Sequence, residues 1–258
     1  MIVSATPHAH QDHAGIQSVL TALDILDCFA DRDELGVSDI ARRIGVAKST
    51  AHRLLASLCA RGVAEQNPEN GRYRLGLHLL ELGQLTQRRM RLPSVALPLL
   101  EELRQTSGYS VYLSIADGAD VVHVVRLGTL PGMHLIAPAA SPLPAHCTAA
   151  GKALAAHNAD LARACRTGGF PPLTPRSLRT TEQFDWALAM TRRTGLATDV
   201  DEAVPGVSSL ASPVLNSASH AVAAVTLAGP TVEFGRDAGR TSRLVLVTAR
   251  RLARALGN

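Results

Sequence analysis

Nothing in this chain approaches the ~18 consecutive apolar residues that a membrane-spanning helix requires. Met1 to Gly15 is rich in His and Ala and lacks a basic stretch followed by an apolar core, so it does not read as a secretory signal. Residues 1–14 are expected to be a disordered tail, and the protein to be cytoplasmic. The four cysteines, Cys28, Cys59, Cys147 and Cys165, are scattered with no Cys-x-x-Cys among them, which argues for reduced thiols rather than a disulfide framework or a zinc site. Asp199, Asp201 and Glu202 stand close together, but no His-x-x-x-His or compact ligand set accompanies them, so no metal and no cofactor are expected. Gly-x-Ser-x-Gly, a phosphate-cradling glycine loop and internal repeats are also missing. His146-Cys147 is the one tempting nucleophilic pair, yet adjacent residues on an extended segment point to opposite sides. An enzyme is not expected.

What is present is a core-forming chain of 258 residues with 46% apolar residues, long enough for two domains. Its charge is unevenly distributed. Ala14 to Val37 carries Arg32 against Asp24, Asp27, Asp31, Asp33 and Glu34. Ser38 to Leu75 reverses the sign, with Arg42, Arg43, Lys48, Arg53, Arg61, Arg72 and Arg74 against Asp39, Glu65 and Glu69. The positive charge sits where a polyanion-binding helix is expected, although a solvated basic face gives the same count.

That helix belongs to Val37–Leu54. Ile40, Ile44, Val46, Ala51 and Leu54 close a core between two crossing helices, with Ala41 small at the crossing and Gly45 at the turn. This is the helix-turn-helix pattern, whose second helix enters the DNA major groove. A first helix carries Ile16, Val19, Leu20, Leu23, Leu26 and Phe29 at helical spacing. Ser38 is expected to cap the second helix, and Ser49 or Thr50 the third, which ends at Gly62. Two short alternating segments, residues 63–66 and 72–75, flank Asn67-Pro68-Glu69-Asn70-Gly71 and predict a β-hairpin. Three helices and a hairpin make a winged helix-turn-helix domain over residues 15–76.

A helix over residues 77–90 carries Leu77, Leu80, Leu82 and Leu85, and Pro93 marks a break before another over residues 94–106. These are too apolar for a free linker; they pack on a second copy of the chain or on the following domain. From Tyr109 the period becomes two: strands at 109–115 and 121–127, a third at 133–137, helices at 148–157, 161–167 and 181–194, strands at 196–200, 209–215 and 221–228, and a last helix at 238–256. This mixture predicts an α+β sensor-like domain over residues 93–258, joined to the first by a linker or dimerisation helix at 77–92.

Four stretches carry a resemblance to the IclR family of bacterial transcriptional regulators, covering the chain from Gly15 onward. They are Ile16-Gln-Ser-Val-Leu-Thr-Ala-Leu-Asp-Ile-Leu; Lys48-Ser-Thr-Ala-His-Arg-Leu-Leu with Tyr73-Arg-Leu-Gly; Pro144-Ala-His-Cys-Thr-Ala-Ala-Gly-Lys152; and Asp199-Val-Asp-Glu-Ala-Val-Pro-Gly-Val-Ser-Ser-Leu-Ala-Ser-Pro213 with Leu227-Ala-Gly-Pro230. The resemblance implies a C-terminal ligand-sensing domain with a GAF-like fold, homodimers or tetramers on palindromic double-stranded operator DNA, and control of a catabolic operon, with repression the commoner mode.

Candidate DNA contacts are Arg42, Lys48, Ser49, Thr50, His52 and Arg53, with Arg72 and Arg74 on the wing. Arg53 can fork onto guanine or phosphate, while Lys48 suits backbone phosphate. The hydroxyls of Ser49 and Thr50 have capping as a rival role, and His52 can be merely exposed. Effector residues implied by the resemblance are Thr148, Ala149, Ala150 and Gly151 on one wall and Asp199, Ser209, Leu210, Thr226 and Ala228 on the other. The helix start at Thr148 offers amides to a carboxylate, though small residues there also serve simple packing. Asp199 can instead pair with Lys152 or cap a turn. The resemblance implies a small organic or aromatic acid as effector; Ala228 stands where a polar side chain is often found, and Ser209 where some members have cysteine, which argues against a very small oxoacid and for a larger, less polar aromatic acid. A DNA-binding scaffold with a ligandless sensor is the alternative.

Overall fold

A computed structural model describes residues 16–30, 32–89, 91–128 and 142–257. The expected tail and the strand expected at 133–137 lie outside these residues. The chain divides into two compact units, Met1–Met90 and Arg91–Asn258.

The first unit begins with α1 (Gln17–Asp27), α2 (Val37–Ile44) and α3 (Lys48–Ala60). Their core is Ile25, Phe29, Leu35, Ile40, Leu55 and Tyr73, with Ala41 and Ala51 buried as well. Gly45 ends α2 at φ +71°, the left-handed conformation a glycine adopts without a Cβ penalty. The expected hydroxyl caps do not form. Gly36 and Ala47 take the extended N-cap conformation with no side-chain bond, so each helix starts before its hydroxyl residues. Ser38, Ser49 and Thr50 therefore lie within first turns. The buried side of α1 also differs from expectation: Thr21 and Ile25 face inward, while Ile16, Val19 and Leu23 are 73%, 53% and 51% exposed.

The wing is β1 (Ala64–Gln66) paired antiparallel with β2 (Tyr73–Leu75), and a bridge between Leu35 and Tyr73 adds a third edge. α4 (Leu77–Arg89) follows after the single residue Gly76. A Cβ on Gly76 would stand 2.1 Å from the carbonyl oxygen of Gly62, so this position admits only glycine. The Gly76 amide donates to Val63 O at 2.9 Å, and the His78 amide to Gly62 O at 3.2 Å.

The second unit opens with α5 (Arg91–Ser107), which takes Pro93 into its first turn instead of breaking there; the ring suits a position whose amide has no helical acceptor. A six-stranded antiparallel sheet runs in the order β5-β4-β3-β8-β7-β6, from β3 (Ser110–Asp117), β4 (Asp120–Leu127), β5 (Leu143–Pro144), β6 (Ala197–Val200), β7 (Val207–Leu215) and β8 (Ala221–Pro230). α5 and α10 (Ala238–Ala255) cover one face through Leu100, Leu103, Val111, Leu113, Val225, Leu227, Val245 and Leu252. The other face packs α6 (Ala149–Ala155), α7 (Ala159–Gly168) and α8 (Thr181–Thr194) through Ala153, Leu154, Leu161, Phe184, Leu188, Ala211 and Ala224. α9 (Thr231–Arg236) and a 3₁₀ turn at Ala145–Cys147 complete the unit, and neither was expected from periodicity.

Candidate functional site

The first candidate surface lies on α3. Its buried residues, Ala51 and Leu55, are one turn apart, which turns Lys48, Ser49, Thr50, His52, Arg53, Ala56 and Ser57 to solvent. The hydroxyls of Ser49 and Thr50 make no cap, so they remain available on the helix's leading turn. Lys48 and Arg53 form no ion pair with a described residue. Arg42 is exposed but holds Asp39 at 3.1 Å, an i,i+3 pair on its own helix. On the wing, Arg74 donates through Nε and Nη2 to Glu65 at 3.2 and 3.0 Å, and Arg72 donates through Nη2 to the Glu34 carbonyl at 3.3 Å. The exposed pairs of Arg42 and Arg74 are weak enough to exchange for phosphate.

The second candidate site is a cavity in the Arg91–Asn258 unit, between the sheet and the start of α6. It brings together Thr148, Ala150, Asp199, Ser209, Thr226 and Ala228. Three expected residues lie elsewhere. Ala149 is fully buried in the α6 core. Gly151 is there for packing, because a Cβ would sit 2.2 Å from Ala145 O. Leu210 follows Ser209 on β7, so strand alternation sends it to the opposite face with the α5–α10 core. Nor does α6 offer a row of open amides: it is seven residues long, and Gly151 N donates to the capping Thr148 Oγ1 at 3.0 Å.

Adjacent strands build the sheet wall. Asp199 on β6 stands opposite Ser209 on β7, which stands opposite Ala228 on β8. Ser209 Oγ donates to Asp199 Oδ2 at 3.2 Å, and the other carboxylate oxygen accepts from Glu202 N at 2.8 Å and Ala203 N at 3.4 Å. Asp199 thus caps the β6–β7 turn. Lys152 pairs with Glu202 at 2.7 Å instead, both nearly buried. Burial pushes the Asp199 carboxyl up to about 6, with the Lys152 ammonium opposing that rise.

Thr226 is only 4% exposed, and its hydroxyl oxygen has no hydrogen-bond partner among the described residues. A buried hydroxyl left unbonded is costly, and this one lies on the cavity wall, where its hydrogen-bonding capacity is unspent. Sequence reading missed Tyr112, His123, Leu143, Ala203, Val204 and Val207, which also line the cavity. Ser114 Oγ and His123 Nδ1 are hydrogen-bonded at 2.8 Å, and the His123 ring lies 4.7 Å from that of Tyr112. Burial, assisted by the Arg126 charge, lowers His123 to about 4, so the ring is neutral at ordinary pH. Arg126 stands opposite Tyr112 in the β3–β4 register, close enough for its charge to act on His123. The free volume is about 50 Å³, several times the ~10–15 Å³ one water needs, so the space suits a compact molecule.

His146 and Cys147 occupy the 3₁₀ turn and both face Pro171 O, at 3.2 and 4.0 Å. The opposite orientation expected of an extended segment is not found. Burial raises the Cys147 thiol and lowers His146, both of which disfavour the thiolate–imidazolium pair that a nucleophilic cysteine uses. Among the described residues, no group of three or more His, Cys, Asp or Glu side chains is placed to hold a metal ion. No helix among them is long and apolar enough to cross a membrane.

Residues 18–68 match the family described as the IclR helix-turn-helix domain, and residues 84–254 the bacterial transcriptional regulator IclR C-terminal family. The chain is 37% identical over 215 residues to the HTH-type transcriptional regulator XynR of Escherichia coli K12, covering 82% of this chain and 85% of that protein. It is 35% identical over 231 residues to the glycerol operon regulatory protein of Streptomyces griseus, covering 89% and 91%. A crystal structure of an IclR homolog from Microbacterium hydrocarbonoxydans complexed with 4-hydroxybenzoate superposes with a TM-score of 0.77 at 25% identity, covering 92% of this chain and 99% of that one.

Proposed function

Because this chain belongs to the IclR family of transcriptional regulators, DNA-binding proteins and not enzymes, we propose that it is a repressor of a catabolic operon whose DNA affinity is set by a small organic or aromatic acid. The observation that carries the sensing half is the unbonded Thr226 hydroxyl on a cavity wall whose other polar groups are Asp199, Ser209, Thr148 and neutral His123. A hydroxy acid satisfies Thr226 and the Asp199–Ser209 pair through its oxygens, and the half-buried Arg126 supplies a nearby positive charge for its carboxylate. The 4-hydroxybenzoate bound by the Microbacterium homolog is a molecule of this kind.

For the DNA half, Lys48, Ser49, Thr50, His52 and Arg53 face the major groove, with Arg42, Arg72 and Arg74 toward phosphates. A homodimer places two such heads about one helical turn, ~34 Å, apart on a palindrome. Exposed Ile16, Val19 and Leu23 on α1, with Leu77, Leu80, Leu82 and Leu85 on α4, support self-association through the first unit. Six phosphates neutralised per dimer give a slope of roughly −5 for affinity against salt on log axes.

Two measurements test the reading. Arg53→Ala is exposed and is expected to weaken binding to a selected duplex in a gel shift without lowering the melting temperature. Unchanged affinity rejects the groove assignment. Titration with 4-hydroxybenzoate and other small carboxylates is expected to raise the melting temperature with concentration, as ligand bound only to the native state must. A panel without any such rise favours the ligandless scaffold.

A further inference from the structure

The wing tip, Asn67–Gly71, is not held by backbone bonds alone. Asn67 N donates to Arg72 O at 2.7 Å and Gly71 N to Asn67 O at 2.8 Å, closing the turn. Each asparagine then commits its side-chain oxygen to the loop: Asn67 Oδ1 accepts from Glu69 N at 2.9 Å, and Asn70 Oδ1 from Arg72 N at 2.8 Å. With both oxygens used, the two Nδ2 groups point the same way, and one acid receives them. Glu34 Oε1 accepts from Asn67 and Oε2 from Asn70, both at 2.9 Å. The Glu34 carbonyl accepts from Arg72 Nη2, and the next residue, Leu35, is bonded in both directions to Tyr73.

A carboxylate beside Arg72 and Arg74 is electrostatically unfavourable in a head that must approach phosphates. We propose that Glu34 is a positioning residue for DNA binding, clamping both wing asparagines so that the loop and Arg72 meet the duplex in one fixed geometry. The proposal rests on the winged-helix reading above. It assigns a role to an acid thirty-odd positions from the loop it orders, on the segment between α1 and α2 that carries none of the expected contacts.

Charge and position predict opposite signs. If Glu34 merely repels phosphate, its removal tightens binding. If it positions the wing, removal weakens binding despite the gain in positive charge. The probe is a duplex selected by the wild-type protein from a random library, with affinity measured at fixed salt. Glu34→Ala is expected to bind about five- to tenfold more weakly, since two charge-assisted but partly solvated bonds are lost. Glu34→Gln, which retains one acceptor oxygen, should fall between. Asn70→Ala breaks the clamp from the loop side and also removes the acceptor of Arg72 N, so the double variant with Glu34→Ala should lose clearly less than the sum of the two single losses, the non-additivity of residues that share one interaction. Glu69→Ala removes a wing carboxylate that makes no side-chain bond to a described residue and should bind equally or more tightly. Amide exchange should accelerate at Glu69 and Arg72 in Glu34→Ala while α3 keeps its protection, which separates a loosened wing from an unfolded head. Tighter binding by Glu34→Ala, or additive losses with Asn70→Ala, overturns the clamp while leaving the winged-helix reading intact. A wild-type protein that selects no duplex overturns both.

Discussion

Replacing Thr226 by Val tests whether the cavity was built for a ligand. The two side chains share shape and β-branching, so the substitution on β8 deletes a hydroxyl and little else. That hydroxyl is buried and unbonded among the described residues. Leaving such a group unsatisfied costs roughly 1–3 kcal/mol, whereas a methyl in its place costs nothing of this kind. The cavity is roomy enough, at about 50 Å³, for solvent to recover part of the loss, so the lower end applies. Thr226→Val should therefore stabilise the ligand-free protein by about 1 kcal/mol, or ~2–4 °C in the melting temperature of a unit this size. Differential scanning calorimetry of the full chain reads this directly. The same variant should show a smaller melting shift on adding an effector, because the donor that rewarded binding is gone. A variant that melts at least ~2 °C below wild type would show the hydroxyl to be satisfied already, and the inference from it to a ligand would fail. A stabilised variant with an undiminished effector response would separate the hydroxyl from recognition.

Asp199→Asn should alter the pH profile of stability. The native carboxyl titrates near 6 against the usual 3.8, so the native state binds a proton more tightly than the unfolded chain, and stability falls as pH rises from about 4 to 6. The stability of wild type relative to the Asp199→Asn variant should drop by about 3 kcal/mol across that window, ~1.4 kcal/mol for each step of one in pH, and level off above pH ~7; a flat or rising difference contradicts the burial argument. Lys152→Met strands the buried Glu202 carboxylate and should cost about 3–5 kcal/mol in denaturant melts, with most of it recovered in Lys152→Met/Glu202→Met. Equal losses in both variants would show that the ion pair is not the cause. Gly151→Ala drives a methyl into the Ala145 carbonyl and should cost at least ~1–3 kcal/mol, whereas Gly168→Ala, with open space around it, should be neutral or slightly stabilising in the same melts.

The sequence made the reading head legible because its signals are local: a small residue at the crossing, glycine at a left-handed turn, Asn-Gly at the hairpin. Hydroxyl residues misled at the helix starts, since Gly36 and Ala47 can adopt the extended cap conformation without offering a side-chain bond. Periodicity placed α1 but not its buried side, because apolar residues occur all round it and Ile16, Val19 and Leu23 are left outside. At the cavity, Asp199, Ser209, Thr226 and Ala228 were found through resemblance, while Tyr112 and His123 were not. β3 is buried on both faces, so alternation could not say which residues border empty space. For Leu210 the same alternation did contain the answer, since its neighbour Ser209 faces the cavity. The clamp at Glu34 left no trace in spacing at all; it depends on a contact between residues far apart in the chain.

The glycine pair at the end of the wing has a mechanical consequence. Gly62 and Gly76 meet backbone to backbone, and two amide bonds bind the hairpin's exit to the residues after α3. With one residue between β2 and α4, there is no slack for a swivel. A rotation of α4 is therefore passed to the end of α3 with no flexible joint in between.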